Sequence, residues 1–186
     1  LRAVLELVMG EEPVAVQSMY YFKPPGSRGQ KMHQDQFYLQ VSPGTCVAAW
    51  VALDRCDAEN GGMQVAPGTQ NLRIDCRNVG KPGSYVEGGE SIPVPPGHRP
   101  VVVEMEPGDV LFFNGSLIHG SGKNRSSHRW RRSFIGHYAP RSCRSIAASY
   151  HPLVTMDGED IDKEVTAGGG PCGGEVESIG PALAAS

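Results

Sequence analysis

The sequence has no apolar run that approaches the length of about 18 residues that a membrane-spanning helix needs. It also lacks the basic and apolar N-terminal regions of a signal peptide. We therefore predict no membrane partner. The chain begins at Leu1 and not at Met, so we expect the N-terminal part of the domain to be incomplete.

No charge of one sign dominates the chain. It has 17 Lys and Arg against 20 Asp and Glu, a net charge of −3 and a pI of about 6.1. Proteins that bind nucleic acid through electrostatics carry a basic surplus, which is missing here. The composition therefore predicts no nucleic-acid partner.

Cysteines are few and form no CxxC pair. An odd, scattered set fits reduced thiols better than a disulfide framework, and reduced thiols indicate a cytoplasmic protein. The five cysteines are Cys46, Cys56, Cys76, Cys143 and Cys172.

What the chain has in quantity is turn-forming residues, with 24 Gly and 15 Pro. Their number predicts many short strands joined by tight turns. At the N-terminus, Leu1, Val4, Leu5 and Val8 recur at helical spacing before Gly10, which predicts one short amphipathic helix with a glycine stop.

Strand-like runs follow that helix and are separated by Gly, Pro and Asn turn signals. Eight strands at this spacing favour an all-β sandwich or barrel, with a jelly roll as the best fit. We expect one domain over residues 1–150, a polar lid or substrate loop over 71–100, and a C-terminal extension over 151–186 with a Gly-rich tail. The predicted strands are 14–22, 33–41, 47–53, 63–66, 101–105, 110–113, 117–121 and 131–138.

His33 and Asp35 fall on the apolar face of the predicted strand 33–41, together with Phe37 and Leu39. Their Cα atoms would lie about 6.6 Å apart, two strand steps, so both side chains can reach one ion. A metal would also offset the cost of burying the carboxylate. The alternative is a hydrogen-bonded His–Asp pair. For an isolated HxD tripeptide this is the better interpretation, because the tripeptide often occurs by chance.

A second histidine, His119, ends an apolar hairpin and faces the same side as Ser121. By itself it could be a core histidine. Two His and one Asp on inward strand faces match the 2-His-1-carboxylate triad of non-heme Fe(II) oxygenases. Such a triad leaves three positions open, enough for a two-donor 2-oxo acid and dioxygen.

A carboxylate co-substrate needs a cation inside the barrel. Arg131 begins the strand after His119, and a guanidinium can hold a carboxylate with two parallel hydrogen bonds. Arg129 and Arg132 are rivals for this role, although a surface position is the usual one for an arginine in a basic run.

Together these motifs resemble the phytanoyl-CoA dioxygenase family of Fe(II)/2-oxoglutarate oxygenases. The resemblance covers roughly residues 20–139, and no single motif would be specific. The matching motifs, in the family's order, are His33-Gln34-Asp35, Trp50, Glu59-Asn60-Gly61-Gly62, Pro67-Gly68-Thr69, Gly108-Asp109, His119-Gly120-Ser121-Gly122, Arg131 and His137-Tyr138-Ala139.

The resemblance implies a double-stranded β-helix, a cupin-like barrel, with iron held by His33, Asp35 and His119. It further implies that Arg131 holds the distal carboxylate of 2-oxoglutarate, and that Trp50 and Ser121 line the co-substrate pocket. For the last two residues plainer roles are open: Trp50 could only fill core volume, and Ser121 could merely end its strand.

The implied activity is that of a dioxygenase that uses Fe(II), 2-oxoglutarate and dioxygen to hydroxylate a small-molecule substrate, with succinate and CO₂ as co-products. The alternative is a catalytically idle cupin-like barrel that binds a metal or a carboxylate. A zinc hydrolase with the same three ligands fits less well, because no general base stands near them and Arg131 would have no role. Neither the substrate nor the oligomeric state follows from the sequence.

Overall fold

Strands dominate the computed structural model, which describes residues 1–74 and 92–166. The predicted all-β class is confirmed. The two α-helices are α1 (Arg2–Met9) and α2 (Gln36–Leu39), with a 3-10 turn at Ala148–Tyr150. The strands are β1 (Pro13–Lys23), β2 (Gln30–His33), β3 (Val47–Ala52), β4 (Met63–Val65), β5 (Val101–Val102), β6 (Val110–Asn114), β7 (His119–Ser121), β8 (Arg131–Pro140), β9 (Ser145–Ala147), β10 (Leu153–Thr155), β11 (Asp160–Ile161) and β12 (Glu164–Thr166).

Two sheets form the body of the jelly roll. The larger has the strand order β11-β10-β1-β8-β3-β6, and the smaller has the order β2-β7-β4-β5. The longest pairing joins β1 to β8, from Pro13 opposite Pro140 to Lys23 opposite Arg131. A separate parallel pair joins β9 to β12. The long β1–β8 pairing carries interior side chains from one end of the larger sheet to the other.

A bulge in β1 decides which of its side chains face the interior. The register with β8 shifts between Ala15 and Gln17, so one extra residue interrupts the alternation. Beyond it, Gln17, Met19 and Tyr21 share one face, and Lys23 falls on that same face by alternation. Met19 and Tyr21 line the interior cavity, so this is the inward face.

The main core lies between the sheets around Trp50, which is 2% exposed. Alternate residues of β3 point there, and the residues between them point outward. Each large apolar side chain buried in this way contributes about 1.5–3 kcal/mol. Its buried neighbours include Ala48, Ala52, Met63, Phe113 and Ile135.

The N-terminal helix covers the outer face of the larger sheet. Gly10 ends it in the left-handed conformation (φ 74°) and donates its N–H to the carbonyl of Glu6, so the predicted helix and glycine stop are confirmed. Leu5 packs against Val47 and Ala49 and is fully buried. The other members of the predicted apolar stripe, Leu1, Val4 and Val8, are exposed.

The predicted strand over 33–41 is wrong. Strand β2 ends at His33, and Gln36–Leu39 form one helical turn. The Gln36 N–H donates to the carbonyl of Gly115, and its side-chain amide donates to the carbonyl of Val41. These bonds close a compact turn, which still buries Phe37 and Leu39.

The first part of the predicted extension packs on the domain. Strand β10 pairs with β1, and its Leu153 is fully buried. The boundary at residue 150 stays a prediction. Most of the predicted loop 71–100 and the Gly-rich tail lie outside the described residues, as do Cys76 and Cys172.

Two further observations concern the cysteines and the search for membrane-spanning helices. Cys46, Cys56 and Cys143 are buried free thiols. Within residues 1–74 and 92–166, no helix is long and apolar enough to cross a membrane.

Candidate metal centre and cation pocket

The two predicted histidine ligands face each other across neighbouring strands. His33 on β2 pairs with His119 on β7, and their ring centroids lie 4.2 Å apart. The Nδ1 of His33 lies 2.8 Å from the carbonyl oxygen of Lys31, and that of His119 lies 2.9 Å from that of Leu117. Since a carbonyl only accepts, each Nδ1 carries the proton, and each Nε2 keeps a lone pair for a metal.

Asp35 brings its carboxylate to the same point from the start of α2. Its Oδ1 lies 3.4 Å from the Nε2 of His33 and 3.5 Å from the Nε2 of His119. All three ligand atoms lie within 4.8 Å of one another. Two imidazole nitrogens and one carboxylate oxygen are the donor set of the facial triad, so these residues fit Fe(II).

The electrostatics of the cluster favour a bound cation. Burial alone would raise the pKa of Asp35, but His119, His137 and His33 outweigh it and hold that pKa well below its usual range. Burial lowers the pKa of His119 to about 4, so its ring is neutral at pH 7. A buried carboxylate among imidazoles is offset best by a positive ion.

Two contacts around His33 bear on metal binding. Burial opposes its protonation, but Asp35 outweighs burial and raises the pKa of His33. The Gln30 amide nitrogen lies 3.2 Å from the Nε2 of His33 and donates to that lone pair. A metal at this position would replace the hydrogen bond from Gln30.

His137 belongs to the site, although the sequence analysis used it only to anchor the family motif. Its Nε2 lies 3.0 Å from the Oδ2 of Asp35, and the Gln17 amide nitrogen lies 3.2 Å from its Nδ1. Because the amide nitrogen only donates, Nδ1 accepts, and Nε2 carries the proton that it donates to Asp35. His137 therefore fixes the carboxylate oxygen opposite the metal-facing one. The sequence signal that could have identified His137 was strand alternation, which places it on the same face of the strand as Arg131.

Arg131, proposed from sequence for a ligand carboxylate, is buried at 5% exposure. Its Nη1 donates to the Ser133 hydroxyl at 2.9 Å, while its Nε has no hydrogen-bond partner. Its Cζ lies 5.5 Å from the centroid of the Trp50 ring. Trp50 thus fills core volume and also packs against the guanidinium, and its place in the co-substrate pocket stays a prediction.

The rival arginines have partners of their own. Arg132 binds Asp54, and Arg129 binds Asp57 and Glu59. Among the residues that the structure describes, Arg131 has no such carboxylate partner. Its assignment to the co-substrate stays a prediction that this difference supports.

Ser121 lies on β7, two residues after His119, and is 8% exposed. Tyr21 lines the cavity that holds the metal ligands. Burial raises the pKa of Tyr21; the charge of Asp35 raises it further, and that of Arg131 lowers it. The charges of Asp35 and of Arg131 therefore both act on Tyr21.

A jelly roll that brings two imidazoles and one carboxylate together in its interior is typical of the mononuclear metal-binding barrels. The chain belongs to the phytanoyl-CoA dioxygenase (PhyH) family, whose model matches residues 2–133. That range includes the three candidate ligands and Arg131, and it confirms the resemblance drawn from the motifs.

Curated relatives agree with this assignment. The chain is 33% identical to the peroxisomal phytanoyl-CoA dioxygenase of Bos taurus over 175 residues, which is 87% of this chain and 48% of that protein. It is 35% identical to a probable phytanoyl-CoA dioxygenase of Caenorhabditis elegans over 163 residues, 80% of this chain and 50% of that protein. The chain thus spans about half the length of these relatives.

Solved structures confirm the predicted double-stranded β-helix. The non-heme alpha ketoglutarate dependent epimerase SnoN from nogalamycin biosynthesis superposes with a TM-score of 0.65 at 23% identity, covering 90% of this chain and 66% of that one. The apoform of EctD from S. alaskensis gives a TM-score of 0.59 at 22% identity, covering 77% and 51%. At these identities the likeness concerns the fold alone.

Proposed function

We propose that the protein is an Fe(II)- and 2-oxoglutarate-dependent dioxygenase that hydroxylates a small molecule. The observation that carries this function is the interior arrangement of charge. At one end a buried carboxylate meets two imidazole Nε2 atoms, and at the other a buried guanidinium has no carboxylate partner among the described residues. Family membership supports it. One solved structure of the epimerase above contains Fe3+ and alpha ketoglutarate.

His33, Asp35 and His119 would hold the iron and leave positions for a 2-oxo acid and dioxygen. With Fe(II) bound, the site would supply oxidation chemistry that converts 2-oxoglutarate, dioxygen and the substrate to succinate, CO₂ and the hydroxylated substrate. The protein's own work is binding and orientation. Arg131 binds the distal carboxylate, and Trp50 supports the face of the guanidinium.

The proposal extends to partners and compartment. A small-molecule substrate and dioxygen suit an interior site, and the near-balanced charge of −3 argues against nucleic acid. Scattered cysteines, three of them buried free thiols, support a cytoplasmic location. The idle metal-binding barrel remains the alternative to be tested.

The direct test is to add Fe(II) and 2-oxoglutarate anaerobically and record the weak visible charge-transfer band of the chelate. We expect the band in the wild type and its loss in His119→Ala, because two ligands hold the metal poorly. His128→Ala is the matched control, since His128 is exposed. No band in folded wild type, with no succinate in air, would contradict the proposal. A band without succinate over a broad substrate panel would favour the idle barrel.

A further inference from the structure

A second buried cation stands beside Arg131. Lys23 ends β1, is 7% exposed, and its Cα pairs with that of Arg131 at the start of β8. Alternation along β1 puts Lys23 on the same face as Tyr21, which lines the cavity. Like charges directly opposite each other on paired strands repel, so this arrangement destabilises the apoprotein.

The described part of the chain supplies no anion to balance the two cations. Over residues 1–74 and 92–166, neither Lys23 nor Arg131 makes an ion pair with an Asp or Glu, whereas Arg129 and Arg132 both do. Burial, and then the charge of Arg131, lowers the pKa of Lys23 to about 7. Burial also lowers the pKa of Arg131. An anion bound beside Lys23 and Arg131 would therefore offset the repulsion between them.

The hydrogen bonds of Lys23 fix the position of its ammonium group. Its Nζ donates to the Ser121 hydroxyl at 2.8 Å, the Gly122 carbonyl at 2.7 Å and the Gly61 carbonyl at 3.4 Å. Three acceptors match the three protons of an ammonium group. Lys23 is thus held in place without a ligand, with its Nζ against the Ser121 hydroxyl.

These bonds also decide what Ser121 can do. Its Oγ accepts from the Nζ of Lys23 and from the backbone N–H of Gln30, at 2.8 and 3.1 Å. A hydroxyl has two acceptor sites and one proton. With both acceptor sites occupied, Ser121 can offer a ligand only its proton. It is therefore a hydrogen-bond donor, which suits a carboxylate oxygen.

We propose that Lys23 is a positioning residue for the distal carboxylate of the co-substrate: it makes Ser121 a donor and, when protonated, adds a second positive charge beside Arg131. This inference rests on the proposed function, in which the co-substrate is 2-oxoglutarate. It makes the pocket selective for 2-oxo acids that carry a second carboxylate.

The test is anaerobic calorimetric titration of the Fe(II)-loaded protein with two ligands. 2-Oxoglutarate has the distal carboxylate and 2-oxobutanoate lacks it, while both chelate iron alike. We expect Lys23→Met to weaken 2-oxoglutarate binding about 10- to 100-fold, the range for losing hydrogen bonds to a charged group, and to leave 2-oxobutanoate unchanged. Lys123→Met removes the same charge from an exposed position and should change neither.

A second variant tests the route through Ser121. If Lys23 acts through that hydroxyl, Ser121→Ala and Lys23→Met together should weaken 2-oxoglutarate binding by less than the product of the single effects. Thermal unfolding is measured first. Should Lys23→Met not fold, Lys23→Gln, which keeps an amide donor, is titrated in its place.

The outcomes separate the two proposals. If wild type does not bind 2-oxoglutarate, the proposed function fails. If wild type binds it and the Lys23 variants bind it equally well, the role of Lys23 is overturned and the function stands. An equal loss for both acids would show a general structural effect and would also overturn the role.

Discussion

The partly exposed pairs of Arg129 with Asp57 and of Arg132 with Asp54, which we call the rim, differ from the buried charges of the interior in how they are paired. At the rim, Arg129 binds both oxygens of Asp57 at 2.8 and 2.9 Å, and Arg132 binds those of Asp54 at 2.9 and 2.7 Å. Arg131 lies between them in sequence, yet it turns inward and bonds only to a hydroxyl among the described residues. Within the described residues, the two rim arginines have carboxylate partners and Arg131 has none.

The interior charges are also sorted by sign. Asp35 stands among imidazoles at one end of the site, and Lys23 and Arg131 stand together at the other. A metal ion complements the first end, and a carboxylate complements the second. A dicarboxylate that chelates the metal would contact both ends at once, and among the described residues the cations of the second end have no carboxylate partner.

The largest effect on 2-oxoglutarate affinity is expected when the interior arginine is replaced, and none is expected when a rim arginine is replaced. Arg131→Ala should weaken 2-oxoglutarate binding by roughly 2 kcal/mol or more and spare iron, since a charge-assisted pair is lost. Arg132→Ala should leave that affinity unchanged, because Asp54 already holds its guanidinium. Titration of both variants checks this. A loss confined to Arg132→Ala would reverse the assignment.

A smaller effect is expected behind the metal. His137→Ala frees the second oxygen of Asp35 and should weaken Fe(II) binding about tenfold, the lower end for losing a partner of a metal ligand. His137→Gln keeps an amide donor and should recover part of the loss. Anaerobic metal titration measures both. Equal affinity in wild type and His137→Ala would show that Asp35 needs no such support.

The smallest effect is expected at the rim and concerns stability alone. Arg129 chiefly lowers the pKa of Asp57 from 3.8 to about 2. The folded-state pKa lies below the unfolded one, so this pair stabilises above the unfolded value and its contribution fades as the pH falls toward 2.

Urea unfolding over that pH window checks the rim prediction. The free energy of unfolding should fall more steeply with acid in wild type than in Asp57→Asn, while 2-oxoglutarate affinity at neutral pH stays the same. Parallel acid profiles for the two proteins would remove Asp57 from the set of paired rim charges.

Apolar runs bounded by turn residues made much of the larger sheet predictable. Strands β1, β3, β6 and β8 lie within two residues of their predicted bounds. The segment after His33 was not predictable in this way, because Gln36 takes its partners from Gly115 and Val41, which lie outside the local pattern. Strands β9 to β12 were missed because they are two or three residues long and depend on long-range pairing.

The candidate site divides in the same way. His33, Asp35, His119 and Arg131 were proposed from residue chemistry and motif resemblance. Lys23 and His137 were not, since nothing local marks a lysine before two prolines or a histidine inside a strand as part of a site. Their positions follow from the β1–β8 register and from the bulge that turns Gln17 toward His137.

By itself, the sequence determined the all-β class, the family and the residue types available for a metal and a carboxylate, because these depend on local periodicity and short motifs. The tertiary structure decided which charges are paired. A hydrogen bond or ion pair depends on distances of about 3 Å between residues distant in the chain, and only strand order and register set those distances.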